Sequence, residues 1–437
     1  MKVRNLLLAG LAVAAMTACS NENDEIVDND NQPTTSEKAN MQINFTFANS
    51  GTRAVKGDGT DAGETFEWES ADITVLLEYA RGTKQVVVEG LDLVKEPNQN
   101  SGVAQYTTNS FQVNASPEGE VTIYAFVNPS KALTEKLKAG EKASIDLSKV
   151  LVNKIASLPA DLNYLIGKDE AAENDGKKGR FLMTGTATNQ TLTAGETTTA
   201  DITVSRVVAK LDEMTDADHV YSISENSELM NKNAIGIKIT HHSYSNLSDD
   251  SYALKGNASI ASYLQPYISQ GNPATYESYE WIGAQATYCY ENFTPATPTR
   301  VHYVGKVLFD DEEIDNDFYV WAKVEGKEII KTAYKNWAEL QEVVTIPDKY
   351  KEDDTVLKDA YGVQRYKSGL CYYEAEILTA ASEKAEIIRN NWYKLTVKSI
   401  NDLGTPDPVI PTPDKKAYLV VSANVEPWTI NVNDVEL

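Results

Sequence analysis

The sequence predicts a mainly β protein built from sandwich domains, on three observations. Apolar and polar residues alternate with period two along much of the chain, helical patterns are few and short, and the strand-like runs are rich in Thr, Val, Ile and Tyr. Such a pattern argues for packed antiparallel layers rather than a helical or α/β fold.

The elements follow in order. Residues 41–47, Met-Gln-Ile-Asn-Phe-Thr-Phe, put Met41, Ile43, Phe45 and Phe47 on one side of a strand. Residues 73–79 and 85–88 continue the pattern, and 121–127 form an almost wholly apolar run stopped by Asn128-Pro129. Residues 201–204 lead into 205–211, and later strands are expected at 235–239, 302–309, 318–324, 371–377 and 392–400. Two helices are expected. Ser130 caps 131–139, with Leu133 and Leu137 on one face and Gly140 as the stop. Asn336 caps 337–344, with Glu339 at the capping-box position. No repeat of fixed period is present.

The N-terminus reads as an export signal. Lys2 and Arg4 precede an apolar run at 6–15, too short to span a bilayer, and Met16-Thr17-Ala18 leads to Cys19. The acidic, polar stretch that follows, 20–40, buries too little to fold and reads as a tether. At the other end, 404–413 is proline-rich and extended, and 417–425 and 428–437 are strand-like beyond it. Leu419, Val421 and Val425 share one row and Trp428, Ile430 and Val432 another, with the phase broken at Glu426-Pro427. An acidic interruption at 212–218 marks a domain boundary between Val204 and Glu225. The expected organisation is a signal at 1–19, a tether with the first strand at 20–53, sandwich domains at 54–210 and 211–403, and a linker and arm at 404–437.

The chain has 437 residues, a net charge of −24 and a pI near 4.6. That acidity argues against nucleic acid and anionic membrane surfaces as partners. No hydrolase motif, phosphate loop or helical zinc pair is present, so no enzyme, cofactor or metal is expected. His241 and His242 are adjacent and so face opposite sides of a strand. The acidic run 310–317 reads as a solvated loop, with calcium as the alternative. Cys289 and Cys371 stand either as a disulfide, which an exported protein permits, or as two buried thiols. Tyr288, Tyr290, Tyr372 and Tyr373 stand either as core aromatics or as a sugar platform.

The chain resembles the fimbrillins of Bacteroidales, the subunits of type V pili, and the Mfa-type short fimbriae in particular. The residues that carry the resemblance are the lipobox ending in Cys19, Gly51-Thr52-Arg53-Ala54, 124–129, Met183-Thr184-Gly185, 206–210, 389–395 and 425–428. The resemblance implies transthyretin-like sandwich domains and a precursor lipidated on Cys19 and carried to the outer membrane. It further implies cleavage between Arg53 and Ala54 by an arginine-specific surface protease, loss of the 41–47 strand, and filling of the groove by the C-terminal arm of a neighbouring subunit. The implied partners are other copies, accessory subunits and an adhesion receptor on a host or bacterium. A stalk subunit is the expected role. The alternatives are a tip, accessory or anchor subunit, or a monomeric surface lipoprotein that binds glycan or a host ligand.

Overall fold

The computed structural model describes residues 37–47, 72–89, 91–96, 105–117, 119–142, 181–248, 251–254, 280–283, 286–378, 385–408 and 419–427. All lie within one compact unit, 37–437. Nine strands form the first sheet: β1 (Lys38–Phe47), β2 (Ile73–Tyr79), β3 (Lys84–Val87), β4 (Leu93–Glu96), β5 (Gln105–Thr108), β6 (Phe111–Asn114), β7 (Val121–Val127), β8 (Met183–Gln190) and β9 (Thr197–Arg206). Their order is β3-β2-β7-β8-β9-β1-β5-β4, with β6 also on β1. The remaining strands are β10 (Val208–Glu213), β11 (Val220–Ser222), β12 (Ile235–Ser245), β13 (Glu280–Trp281), β14 (Thr287–Tyr290), β15 (Arg300–Phe309), β16 (Glu312–Glu313), β17 (Phe318–Glu325), β18 (Glu328–Tyr334), β19 (Val363–Tyr366), β20 (Leu370–Glu376), β21 (Asn391–Ile400) and β22 (Leu419–Pro427). They form a sheet β14-β10-β21-β22, a second centred on the β12–β15 pair, and a three-stranded sheet β18-β17-β19. The mainly β reading is thus met, and the chain leaves the first sheet at Val207.

The alternation in the sequence is matched by burial. One core gathers Met41, Ile43, Phe45, Val75, Leu77, Ile123, Ala125, Ile202 and Val204 against one face of the first sheet. Leu76 and Phe126 point the other way, into a second core shared with β10, β12, β15 and β21. Burial on both faces explains why β7 reads as an apolar run rather than as an alternation. A third, small core of Tyr319, Leu340, Ile346, Leu357 and Val363 holds the three-stranded sheet to its helices.

Helix α1 (Lys131–Lys142) is capped by Ser130, whose Oγ accepts from Leu133 N at 3.2 Å, and buries Leu133 and Leu137. It runs two residues past Gly140, because Glu141 is tied to the sheet by accepting from Val86 N at 3.1 Å. Helix α2 (Trp337–Gln341) stops short of the expected Val344, because the Gln341 side chain turns the chain by bonding to Ile346 N and O. Asn336 caps it as expected, but Glu339 reaches back to Lys335 N rather than to the cap residue's own N–H. Helix α3 (Asp354–Tyr361), capped by Asp353 and closed by Gly362 at φ 67°, is too short for its period to be read in the sequence.

Candidate functional site

β1 occupies a slot in the middle of the first sheet. It runs parallel to β9 through eight aligned pairs, from Asn40 opposite Thr197 to Phe47 opposite Val204. On its other side it is antiparallel first to β6, from Lys38 to Met41, and then to β5, from Asn44 to Thr46. Where that partner changes, Thr108 supplies the missing acceptor, its Oγ1 lying 2.9 Å from Ile43 N. Met41 and Ile43 are fully buried and Phe45 nearly so. The alternate side chains are polar and paired: Asn44 Nδ2 donates to Asp201 Oδ1 at 2.9 Å, and Lys38 Nζ to Asn114 Oδ1 at 2.7 Å. The Phe47 side chain, Cys19, the Arg53–Ala54 bond and Trp428, Ile430 and Val432 lie outside the described residues.

This placement gives β1 two kinds of importance. Burying Met41, Ile43 and Phe45 contributes roughly 5–9 kcal/mol at about 1.5–3 kcal/mol each. The β4–β5 pair and β6 also join the backbone ladder of the sheet only through β1, among the described residues. At the far end, Tyr79 Oη donates to Asn114 O at 2.9 Å, so side chains tie β2 to β6 independently of β1. Loss of β1 therefore opens a long apolar groove with unpaired backbone on both walls.

The first half of the expected arm has a definite seat. β22 pairs antiparallel with β21 of its own chain through nine aligned residues, from Asn391 opposite Pro427 to Ile400 opposite Leu419, with a bulge between Val397 and Ser399. It is an edge strand of its sheet, and Val421 packs against the second core. Leu419 and Val425 lie at paired positions of this edge.

Several motif residues far apart in sequence meet in space. Arg206 donates from its backbone N and from Nη1 to Asn390 Oδ1, at 3.2 Å each, and Asn390 N donates back to Val208 O at 2.7 Å. Arg389, buried, clasps Glu291 through Nε at 2.8 Å and through Nη2, which also reaches Ser251 Oγ at 3.1 Å and Tyr252 O at 2.8 Å. Lys210 Nζ lies 4.0 Å from the centre of the Trp392 ring, and Lys394 Nζ 4.3 Å. Gly185 packs against β9 so closely that a Cβ would stand 2.3 Å from Thr203 O. The Arg389–Glu291 pairing has no signal in the sequence, because nothing local identifies the partner 98 residues away.

Other expected features resolve differently. The disulfide alternative is not realised: Cys289 and Cys371 are separate, buried free thiols. Cys289 sits on β14 opposite Ala209, while Cys371 sits on β20 opposite Gly305, with its Sγ 3.5 Å from Tyr373 Oη. Burial raises both thiols to about 12. Tyr288, Tyr290, Tyr372 and Tyr373 are buried and offer no sugar platform. In the acidic run, Glu312, Glu313, Asp315 and Asp317 are ion-paired with Lys335, Lys238, Lys306 and Arg365. His241 and His242 are both buried just after a register shift in β12.

Comparison with known proteins gives a family match near the C-terminus and structural likeness along most of the chain. Residues 364–434 match the family described as major fimbrial subunit protein type IV, fimbrillin, C-terminal. No curated protein matches the chain. Among solved structures, a fimbrilin of Porphyromonas gingivalis W83 is 17% identical, covering 90% of this chain and 98% of that one, with a TM-score of 0.45. A candidate cell adhesion protein of Parabacteroides distasonis ATCC 8503 is 13% identical, covering 90% and 99%, with a TM-score of 0.49. The fimbrial tip protein Mfa3 of Porphyromonas gingivalis, C-terminally truncated, is 11% identical, covering 90% and 100%, with a TM-score of 0.38.

Proposed function

We infer, from the fimbrillin match over residues 364–434, that this chain is a fimbrial subunit, and we propose that it polymerises by exchange of its first strand. The observation that carries the exchange reading is the position of β1, a short terminal strand that fills the centre of a sheet and links its two halves. Arg53 follows β1 by six residues in a polar, glycine-containing stretch, where a protease finds ready access. Cleavage between Arg53 and Ala54 frees β1 from the rest of the chain. The vacated groove then needs an incoming strand with apolar residues at alternate positions. Trp428, Ile430 and Val432 have that spacing, and a strand that reproduces the pairing of β1 runs parallel to β9.

The pairing of β22 with β21 supports a division of labour in the C-terminal segment. Residues 419–427 root the arm on their own sheet, and 428–437 extend to the neighbour. A contact in which one subunit's arm enters another's groove is head-to-tail and does not close, so it grows a filament. Cys19 is the lipid attachment point that carries the precursor to the outer membrane, and of the domains at 54–210 and 211–403 the first holds β2 to β9 of the first sheet, with the boundary falling inside β10. A stalk role suits a chain with both a removable strand and an arm.

The test is incubation of purified precursor with an arginine-specific protease. The expected products are a new N-terminus at Ala54 and a heat-labile ladder on gels. A precursor lacking 428–437 is expected to be cut normally and give no ladder. A ladder from that truncated chain overturns the arm assignment, and a mature fibre that retains residues 38–47 overturns the exchange.

A further inference from the structure

The slot that β1 fills is crossed at Asn44. Asn44 Nδ2 donates to Asp201 Oδ1 on β9 at 2.9 Å, and Asn44 Oδ1 accepts from Thr107 Oγ1 on β5 at 3.1 Å. One side-chain amide therefore bridges both walls of the slot, as donor on one side and acceptor on the other. Met41, Ile43 and Phe45 turn to the opposite face and are buried. An occupant of this slot is thus read twice, by an apolar row on one face and by an asparagine on the other.

Residues 428–432, Trp-Thr-Ile-Asn-Val, repeat the order of residues 41–45, Met-Gln-Ile-Asn-Phe. Aligned on the shared Ile-Asn, Trp428, Ile430 and Val432 take the places of Met41, Ile43 and Phe45, and Asp434 falls at Phe47, the last place of the strand. The larger Trp428 and the smaller Val432 offset each other in volume, which a core tolerates. A slip of one residue turns the apolar row to the wrong face. A slip of two in one direction puts Asp434 in the buried place of Phe45 and the Trp428 indole in the fully buried place of Ala39. A slip of two in the other direction puts Glu426 in the fully buried place of Met41. Either slip buries an unpaired carboxylate, at large cost. Glu426 is moreover already paired with Trp392 on β21 of its own chain, so the arm starts at the Met41 place.

We propose, on the exchange reading above, that Asn431 of a second copy sets the register of the incoming strand, seated between Asp201 and Thr107 where Asn44 stood. The strand runs parallel to β9 with Ile430 in the place of Ile43. Glu426 and Asp434 bracket the apolar row and act as stops against slippage in either direction. The slot thereby selects a segment with apolar residues at alternate places, an asparagine between the second and third, and no charge among them.

Cysteine cross-linking of the protease-treated full-length precursor tests this. Thr46 stands opposite Gln105, so the proposed register sets Asn433 of the incoming arm opposite Gln105. Paired strand positions lie within the span of a disulfide. Q105C/N433C is expected to turn the heat-labile ladder into one that survives boiling and collapses on reduction, whereas Q105C/N431C and Q105C/V435C are not. A boiling-resistant ladder from either of those two, or from none of the three, overturns the register, while the heat-labile ladder still stands for exchange. N431D sets a carboxylate against Asp201 and is expected to speed dissociation of the ladder at low salt by at least about tenfold. D201N/N431D interchanges the two groups and is expected to restore the rate of the unaltered chain. Dissociation of N431D at the unaltered rate, or no recovery in D201N/N431D, overturns the role of Asn431. Absence of even a heat-labile ladder from the unaltered chain overturns the exchange reading, and this proposal with it.

Discussion

Buried histidines contribute to the acid sensitivity of this protein; burial lowers His241, His242 and His302 alike, the last two furthest. His302 is fully buried, with Nε2 2.8 Å from Ser245 Oγ, and burial together with Arg300 lowers its pKa to about 3. His242 is lowered to about 4 by burial and by His241. Both are neutral in the fold near pH 6, while in the unfolded chain they take up protons as pH falls through 6.5. Their contribution is thus complete above about pH 6.5 and is lost as pH falls towards the folded values, at about 1.4 kcal/mol per pH unit for each. Glu213, raised above its ordinary 4.5 by burial, acts in the opposite sense and partly offsets the loss. Urea denaturation between pH 7 and pH 4.5 is expected to show falling stability, and His302→Gln is expected to flatten the slope. Arg389 is the other residue on which much rests. Arg389→Ala strands the buried Glu291 carboxylate and is expected to cost about 3–5 kcal/mol in thermal or chemical denaturation.

Among the elements, β1 and β22 respond to alteration in different ways. Met41→Ala leaves a cavity in a fully buried position and is expected to destabilise the precursor by about 2–5 kcal/mol. On the proposed exchange of β1, the same substitution is expected to leave the assembled, cleaved form unchanged. Comparison of melting temperatures before and after cleavage checks both halves of that expectation. Deleting 417–437 removes the β22 edge and leaves β21 unpaired on that side, so a loss of stability is expected. Deleting 428–437 spares the nine pairs and is expected to leave the melting temperature within about 1 °C while abolishing polymerisation. A matching loss of stability from both deletions overturns the assignment of 419–427 as a root.

Across the whole molecule, the connection between the first sheet and the rest runs through Arg206, Asn390 and the residues around Val207. Leu76, Phe126 and α1 extend the second core onto the first sheet, so the outer face of β2 and β7 is part of a shared interior. Asn390→Ala removes the acceptor for two Arg206 donors and the left-handed residue at φ 60°, and is expected to destabilise by about 1–3 kcal/mol. Thermal denaturation measures that loss. The same scale explains what was legible. Strands of seven or more residues with an apolar row, such as β2 and β7, are visible because their burial pattern is their sequence pattern. Short or polar strands such as β8 carry little periodicity and are placed by their neighbours rather than by their own residues.

Local periodicity alone thus determined that this chain forms sheets, that 41–47 and 419–427 are strands, and which side chains of 41–47 seek burial. That information is contained within a few consecutive residues, because strand side chains alternate in direction whatever the strand pairs with. The partners were decided by tertiary structure: β1 beside β9, where Asn44 bonds a residue 157 positions away, and β22 on β21 of its own sheet. Two separated thiols in place of a disulfide, and Arg389 on Glu291, were settled in the same way. Pairing depends on which backbone edges remain free once every other strand has packed, and no short stretch of sequence contains that.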